Sequence, residues 1–109
     1  MYNVSKYDWK LFQNKLQEWQ EHYMERLVKD YVKFLNNKNK AASDKFWELE
    51  KRIKKDKKHP GVMMQLQKSE MVWDIVYLIK MKVISYDDLT EFSDDLKQEV
   101  KRIFEMHRG

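Results

Sequence analysis

The sequence predicts an all-α protein, a small helical bundle of four main helices with one or two short connecting helices and a long N-terminal helix. Three observations predict it. Charged residues make up 37% of the chain, while glycine occurs twice and proline once, so few residues interrupt a helix. Apolar positions recur at steps of three and four, the period of one helix face. Serines stand just ahead of several of these periodic runs, where a hydroxyl can cap a helix start. At 109 residues, the chain is expected to form a single helical domain, residues 1–109, with one modest core. Its aromatic content of 14% argues against disorder.

The first helix is expected over residues 5–35. Phe12, Leu16, Trp19, Tyr23, Leu27, Tyr31 and Phe34 form its stripe. Ser5 is its predicted cap, Asp8 the capping-box partner, and Val4 and Trp9 the hydrophobic staple. Thirty residues of helix at 1.5 Å each come to roughly 45 Å. A compact chain of this length has a radius of gyration near ~13 Å and hence a diameter of about 34 Å, so the helix must bend, break or protrude. Met24, Val28, Val32 and Leu35 widen the stripe after Tyr23. A wider stripe implies more than one packing neighbour. The expectation is therefore that the C-terminal half is packed against the central helix and that the surplus length lies toward Trp9, Phe12 and Leu16.

The run from Asn36 to Lys40 should end this helix with turn-forming asparagines. A second helix is expected from a Ser43 cap to about Lys57, with Phe46, Leu49 and Ile53 inward and Trp47 on the flank. Pro60 and Gly61 then break the chain. A short helical segment is expected over residues 62–67, followed by a third helix capped by Ser69 and running to about Lys82. That helix is apolar nearly all round, which suits the centre of a bundle. Its Val and Ile residues leave a strand as the alternative. Ser85 with Asp88 repeats the capping box, and Ile84 with Leu89 the staple, before a short helix to about Phe92. A last helix starts at Ser93 and carries Leu96, Val100, Ile103, Phe104 and His107 on one side.

Candidate chemistry is sparse. The chain has no cysteine, so disulfides and thiolate chemistry are excluded. The serines stand at expected helix starts, and there is no Gly-x-Ser-x-Gly elbow, phosphate loop or dinucleotide fingerprint. Glu18, Glu21, His22 and Glu25 lie near one another, but the residue three before His22 is Trp19, so the Glu-x-x-His motif of di-iron bundles is missing. His59 stands before a proline, and His107 suits a helix C-terminus. Asp87, Asp88, Glu91, Asp94, Asp95 and Glu99 lack the glycine and the spacing of a calcium loop and suit the first turns of two helices. No catalytic residue, metal ligand or cofactor is expected.

Two features point to partners. Lys51, Lys54, Lys55 and Lys58 form a basic patch suited to phosphates or an acidic partner. Glu48 with Arg52 and Glu50 with Lys54 stand at the spacing of helical ion pairs, which suits a solvated helix end instead. The acidic cluster near residue 90 offers a charge-complementary surface for the basic patch of another copy. Trp9, Phe12 and Leu16 are the expected interface residues, since aromatic anchors dominate protein interfaces. No apolar run is long enough for a bilayer span, and the first residues lack the apolar core of a secretion signal. A soluble cytoplasmic protein is expected, with no membrane partner.

The runs SDKFWELEKRIKKDKKHPGV (43–62), WDIV (73–76) and EFSDDL (91–96) resemble a family of small uncharacterised all-helical bacterial proteins. The resemblance implies a helical fold and carries no activity or functional residue. The functional expectation is a non-enzymatic protein–protein interaction module, a homodimer formed through the N-terminal helix. The alternative is a nucleic-acid-associated regulator using the basic end of the second helix.

Overall fold

The computed structural model describes residues 2–106 and contains four α-helices: α1 (Lys6–Leu35), α2 (Ala42–Asp56), α3 (Met71–Lys80) and α4 (Asp94–Met106). Short 3-10 turns at Lys68–Glu70 and Tyr86–Leu89 precede α3 and α4, and no strand occurs among the described residues. α1 runs for 30 residues without interruption. The radius of gyration of 17.1 Å and the extents of 55 × 31 × 21 Å describe an elongated molecule, well beyond the compact expectation.

The core sits at the N-terminal end of α1. Phe12, Leu16 and Trp19 from α1 meet Met71, Ile75, Val76 and Leu78 of α3 and Leu96, Val100 and Ile103 of α4. Val83, Ile84, Leu89 and Phe92, on the connection between α3 and α4, close the cluster. Each such side chain taken from water contributes about 1.5–3 kcal/mol. Trp9, Phe12, Trp19 and Phe92 run through the core as a chain of tilted aromatic pairs, with centroids 6.2, 6.3 and 6.2 Å apart. α3 is covered on most sides as its composition implies, although Trp73 and Tyr77 remain exposed.

The surplus length of α1 therefore lies at the opposite end from the one expected. Phe12 is fully buried and Leu16 is 3% exposed, so neither is an accessible interface residue, and Trp9 is half-buried against the same core. Val28, Val32 and Leu35, by contrast, are exposed. The width of an apolar stripe reports how many neighbours a helix is built to meet, not how deeply each half is buried. The narrow aromatic half of α1 is deeply buried against the α3–α4 pair and its connection, which themselves pack directly on each other.

Capping is partly as the serines imply. Ser5 Oγ accepts from Asp8 N at 3.0 Å, the capping box of Ser85 and Asp88 is complete, and Ser93 Oγ accepts from Leu96 N at 3.2 Å. Ser43 does not cap α2: extended Ala41 holds that position, and Ser43 falls in the first turn beside Asp44. Ser69 lies inside a 3-10 turn, and α3 starts at Met71 without a side-chain cap. Residues 62–67 form no helix. Val62 and Met64 are half-buried while Met63 and Gln65 are exposed, the two-residue alternation of an extended segment. Such a segment spans about 3.3 Å per residue against 1.5 Å in a helix, which suits a link between distant elements. α3 stops two residues early because Lys82 takes a left-handed conformation with φ of 63°. Val83 N then donates to Leu78 O at 2.9 Å and Lys82 N to Ile79 O at 3.1 Å, a Schellman ending built without glycine. His107 lies outside the described residues.

Asp8 is the buried charge of the core and joins the two ends of the chain. Its carboxylate accepts from Tyr2 Oη at 2.6 Å, Ser93 N at 3.0 Å and Ser93 Oγ at 2.5 Å, so it tethers the start of α1 to the start of α4. Burial pushes its pKa up, but the hydrogen bonds from Ser93 and Tyr2 outweigh burial and hold it below the ordinary carboxylate value. Asp74 on α3 has the opposite balance. Burial, followed by the neighbouring Glu70, pushes it up to about 6, and its Oδ2 has no hydrogen-bond partner among the described residues. A depressed carboxylate stabilises the fold above its unfolded pKa, and that stability is lost as pH falls through the lower folded value. Asp8→Asn should therefore lower stability by about 1–3 kcal/mol at pH 7 and remove the Asp8 share of the fall in stability below about pH 4. Urea denaturation of both proteins across pH checks this. Equal losses of stability with acid in the two would contradict it.

Candidate interaction surface

Beyond Tyr23, α1 leaves the core and forms an arm with α2. The pairing runs antiparallel, since Tyr23 meets His59, Tyr31 meets Asp56 and Phe34 meets Arg52. The contacts are polar and aromatic. Tyr31 Oη donates to Asp56 Oδ2, and burial, reinforced by that carboxylate, pushes the phenol up to about 12. The Arg52 guanidinium lies 4.2 Å from the Phe34 ring centroid and Lys40 Nζ 5.3 Å from it, while both cations reach Glu48 at 3.3 and 3.6 Å. Each cation–π contact contributes about 0.5–1 kcal/mol at such exposed sites. No residue of α2 is buried. An isolated helix of about 12–15 residues is marginal in water, so α2 is held weakly by what it touches within the chain.

The base of the arm is built more firmly, and His59, Pro60 and Gly61 build it. Pro60 and Gly61 are buried, and Gln20 Nε2 donates to Pro60 O at 3.0 Å. His59 Nδ1 accepts from Gly61 N at 3.0 Å, which leaves the imidazole stacked on Tyr23 with centroids 4.4 Å apart and planes 5° apart. Burial lowers the His59 pKa, opposed by Asp56. A Cβ on Gly61 would lie 2.4 Å from Tyr23 Cδ2 and 2.5 Å from its Cγ, so glycine is needed for this close approach. The chain break that the sequence places here is thus also the seat on which the arm rests.

The arm presents two different outer faces. On α1, Val28, Val32 and Leu35 are 55%, 50% and 38% exposed and lie to one side of the residues that meet α2. On α2, Phe46 and Ile53 are 63% and 39% exposed and adjoin half-buried Leu49, again beside the contact line. At about 100° per residue both flanks are rotated in the same sense from their contact lines. In antiparallel helices, equal senses fall on the same side of the pair, so Val28, Val32, Leu35 and Ile53 share one apolar side, and Phe46 continues it along α2 past the end of α1. The second face belongs to α2 alone. Trp47, Lys51 and Lys54 follow at steps of four and three on the side turned away from α1, with Lys55 alongside and Lys58 in the turn just after the helix, and all five are exposed. Lys54 Nζ lies 3.7 Å from Glu50 Oε1, whereas Lys51, Lys55 and Lys58 have no carboxylate within 4.0 Å among the described residues.

The other candidates are placed apart. His22 is exposed, and no group of three or more His, Asp and Glu among the described residues is arranged to hold a metal ion. Four of the acidic residues near the α4 start have partners within the chain. Asp88 completes a cap, Asp94 pairs with Lys97 at 3.3 Å, Glu91 pairs with Lys15, and Glu99 pairs with Arg102 at 2.5 Å. An apolar groove of about 350 Å³ lies between α3 and α4, lined by Ile79, Tyr86, Val100 and Phe104. Its charged lining residues, Lys101 and Glu105, are one turn apart on a single helix, and they bring no acid–base pair together across it. No helix among the described residues is long and apolar enough to cross a membrane. Comparison with protein-family models, curated proteins and solved structures finds no match for this chain.

The apolar face was not anticipated as an interface, although its residues were legible as apolar. A signal for it existed: the stripe of α1 widens where α2, itself rich in charge, offers only one flank to cover it. Because the atoms that a new Cβ would strike belong to the root of the Tyr23 ring, Gly61→Ala should force the ring off its seat. Loss of stability by about 1–3 kcal/mol is expected, read as a lower urea midpoint. An unchanged midpoint would contradict the close packing described for the base of the arm.

Proposed function

We propose that the protein is a cytoplasmic, non-enzymatic protein–protein interaction module that self-associates through its N-terminal helix, using the C-terminal half of α1 together with α2. The observation that carries this reading is the apolar face of Val28, Val32, Leu35, Phe46 and Ile53 on a helix pair in which no residue of α2 is fully buried. A two-helix hairpin with one apolar side is half of a four-helix bundle. A second copy related by a two-fold axis supplies the same surface in return, because an isologous contact is self-complementary.

The size of the face sets the strength of the contact. With Phe34 beside Arg52, α1 ends level with about Lys51, so the two helices lie side by side over only about 9 Å and α2 continues alone for about 13 Å, which gives a footprint near ~350 Å² per copy. Two copies then bury about 700 Å², well below the roughly 1,200–2,000 Å² of stable complexes. Association in the micromolar range or weaker is therefore expected, with monomers at low concentration. The polar link between α1 and α2 also leaves α2 free to adjust its angle as the second copy docks.

Light scattering across concentration tests the proposal. The mass should rise from 13.5 kDa toward twice that value as concentration increases, and Val32→Asp combined with Phe46→Ser should hold the protein at the monomer mass. Both substitutions are at exposed positions, so the folded core is retained. A monomer at every concentration would overturn self-association, and a dimer unaffected by the double substitution would overturn the assignment to this face.

A further inference from the structure

We infer that the outward face of α2 is a binding site for single-stranded nucleic acid, in which Lys51, Lys54, Lys55 and Lys58 meet phosphates and Trp47 stacks on a base. This inference concerns a different face from the self-association surface and does not depend on it. On α2 the row of Trp47, Lys51 and Lys54 points roughly 130° away from the middle of the apolar flank formed by Phe46, Leu49 and Ile53, and Lys58 follows in the turn that ends the helix. The two faces meet at the contact between Phe46 and Trp47.

Three observations carry it. The first is the segregation of charge. Residues 36–58 contain nine Lys and Arg against four Asp and Glu, whereas residues 59–106 contain six against nine. The modest net charge of +4 thus hides a strongly basic arm on a body with an acidic remainder. The second is the availability of that charge. Lys51, Lys55 and Lys58 are exposed and have no carboxylate neighbour among the described residues, so their charge is not spent on ion pairs within the chain. The third is Trp47, which is 62% exposed and shares the lysine row. Phe46 holds it edge to face, with centroids 5.0 Å apart and planes 88° apart. A large aromatic ring kept out of the core and aligned with phosphate-binding cations is the combination that single-strand platforms use.

The chemistry selects among polyanions. Lysine supplies point charges without the planar fork with which arginine reads guanine, so the row favours phosphate and does not discriminate sequence. Stacking on Trp47 needs an unpaired base, which a duplex does not present. An acidic protein would also satisfy the lysines, so dependence of oligonucleotide binding on Trp47 is what separates the two.

Fluorescence anisotropy with a labelled oligouridylate of about 20 nucleotides tests the inference. Four phosphate contacts on a single strand give a log–log salt slope near −2.8, so affinity should fall about 50-fold between about 50 and 200 mM salt. Replacing Lys51 and Lys58 with serine should reduce the slope to about −1.4. Trp47→Ala should weaken binding about tenfold at fixed salt, and Trp47→Phe should retain most of the affinity. The far-ultraviolet circular dichroism of each variant should match the parent, because all these positions are exposed. Absence of binding at about 50 mM salt, a slope unchanged by the lysine substitutions, or equal binding of a duplex regardless of Trp47 would each overturn it. Binding to phosphatidylserine vesicles in place of the oligonucleotide would overturn it as well.

Discussion

An unbroken helix of 30 residues is the constraint from which the rest of the structure follows. It is longer than the core that a chain of this size can build, and nothing in its sequence bends it. One part must therefore leave the core. The departing part is decided by anchoring at the other end, where Asp8 is tethered to Tyr2 and Ser93 and where Phe12, Leu16 and Trp19 are buried against α3 and α4. With that end held by hydrogen bonds and deep apolar burial, the remainder from Tyr23 onward has to project. α2 folds back along the projection and makes it an arm.

The arm is unlike the core in the forces that hold it. The core rests on buried apolar area and one satisfied buried carboxylate. α2 rests on α1 through a phenol–carboxylate hydrogen bond and a guanidinium over Phe34, and its ion pairs are exposed ones within α2 or to the loop before it. Exposed pairs of this kind contribute about 0–1 kcal/mol each, so the arm opens more readily than the core. The His59–Gly61 seat under Tyr23 keeps the base of the arm in register even so. Marginal internal packing beside an apolar outer face is the physical basis for reading the arm as the place where another molecule docks.

The helices themselves were legible in the sequence because period, caps and breakers are local properties. Phe12, Leu16 and Trp19 sit on one face as their spacing requires, and Ser5, Ser85 and Ser93 accept the bonds that hydroxyls at helix starts accept. The direction of the protrusion was not legible. Val28, Val32 and Leu35 have the composition of packed residues, and only tertiary contacts decide whether a neighbour exists to cover them. Two other features were hidden for related reasons. Asp8 has the spacing of a capping-box partner, yet its carboxylate is drawn to Ser93, 85 residues away in sequence. The end of α3 lacks the glycine that would announce a left-handed residue, and Lys82 adopts that conformation under the hold of its Schellman bonds. The basic row was visible as a charge run, while its alignment with Trp47 and its orientation away from α1 needed the placement of α2.

Hydrogen exchange measured as a function of protein concentration tests the central claim most directly, because it reports on each helix separately. If a second copy covers the apolar face of the arm, amides of α2 and of the end of α1 gain protection as concentration rises. Those of α3 and α4 stay unchanged. Protection in α2 that remains low and independent of concentration would contradict the account, since the arm would then be a marginal helix pair that no second copy covers.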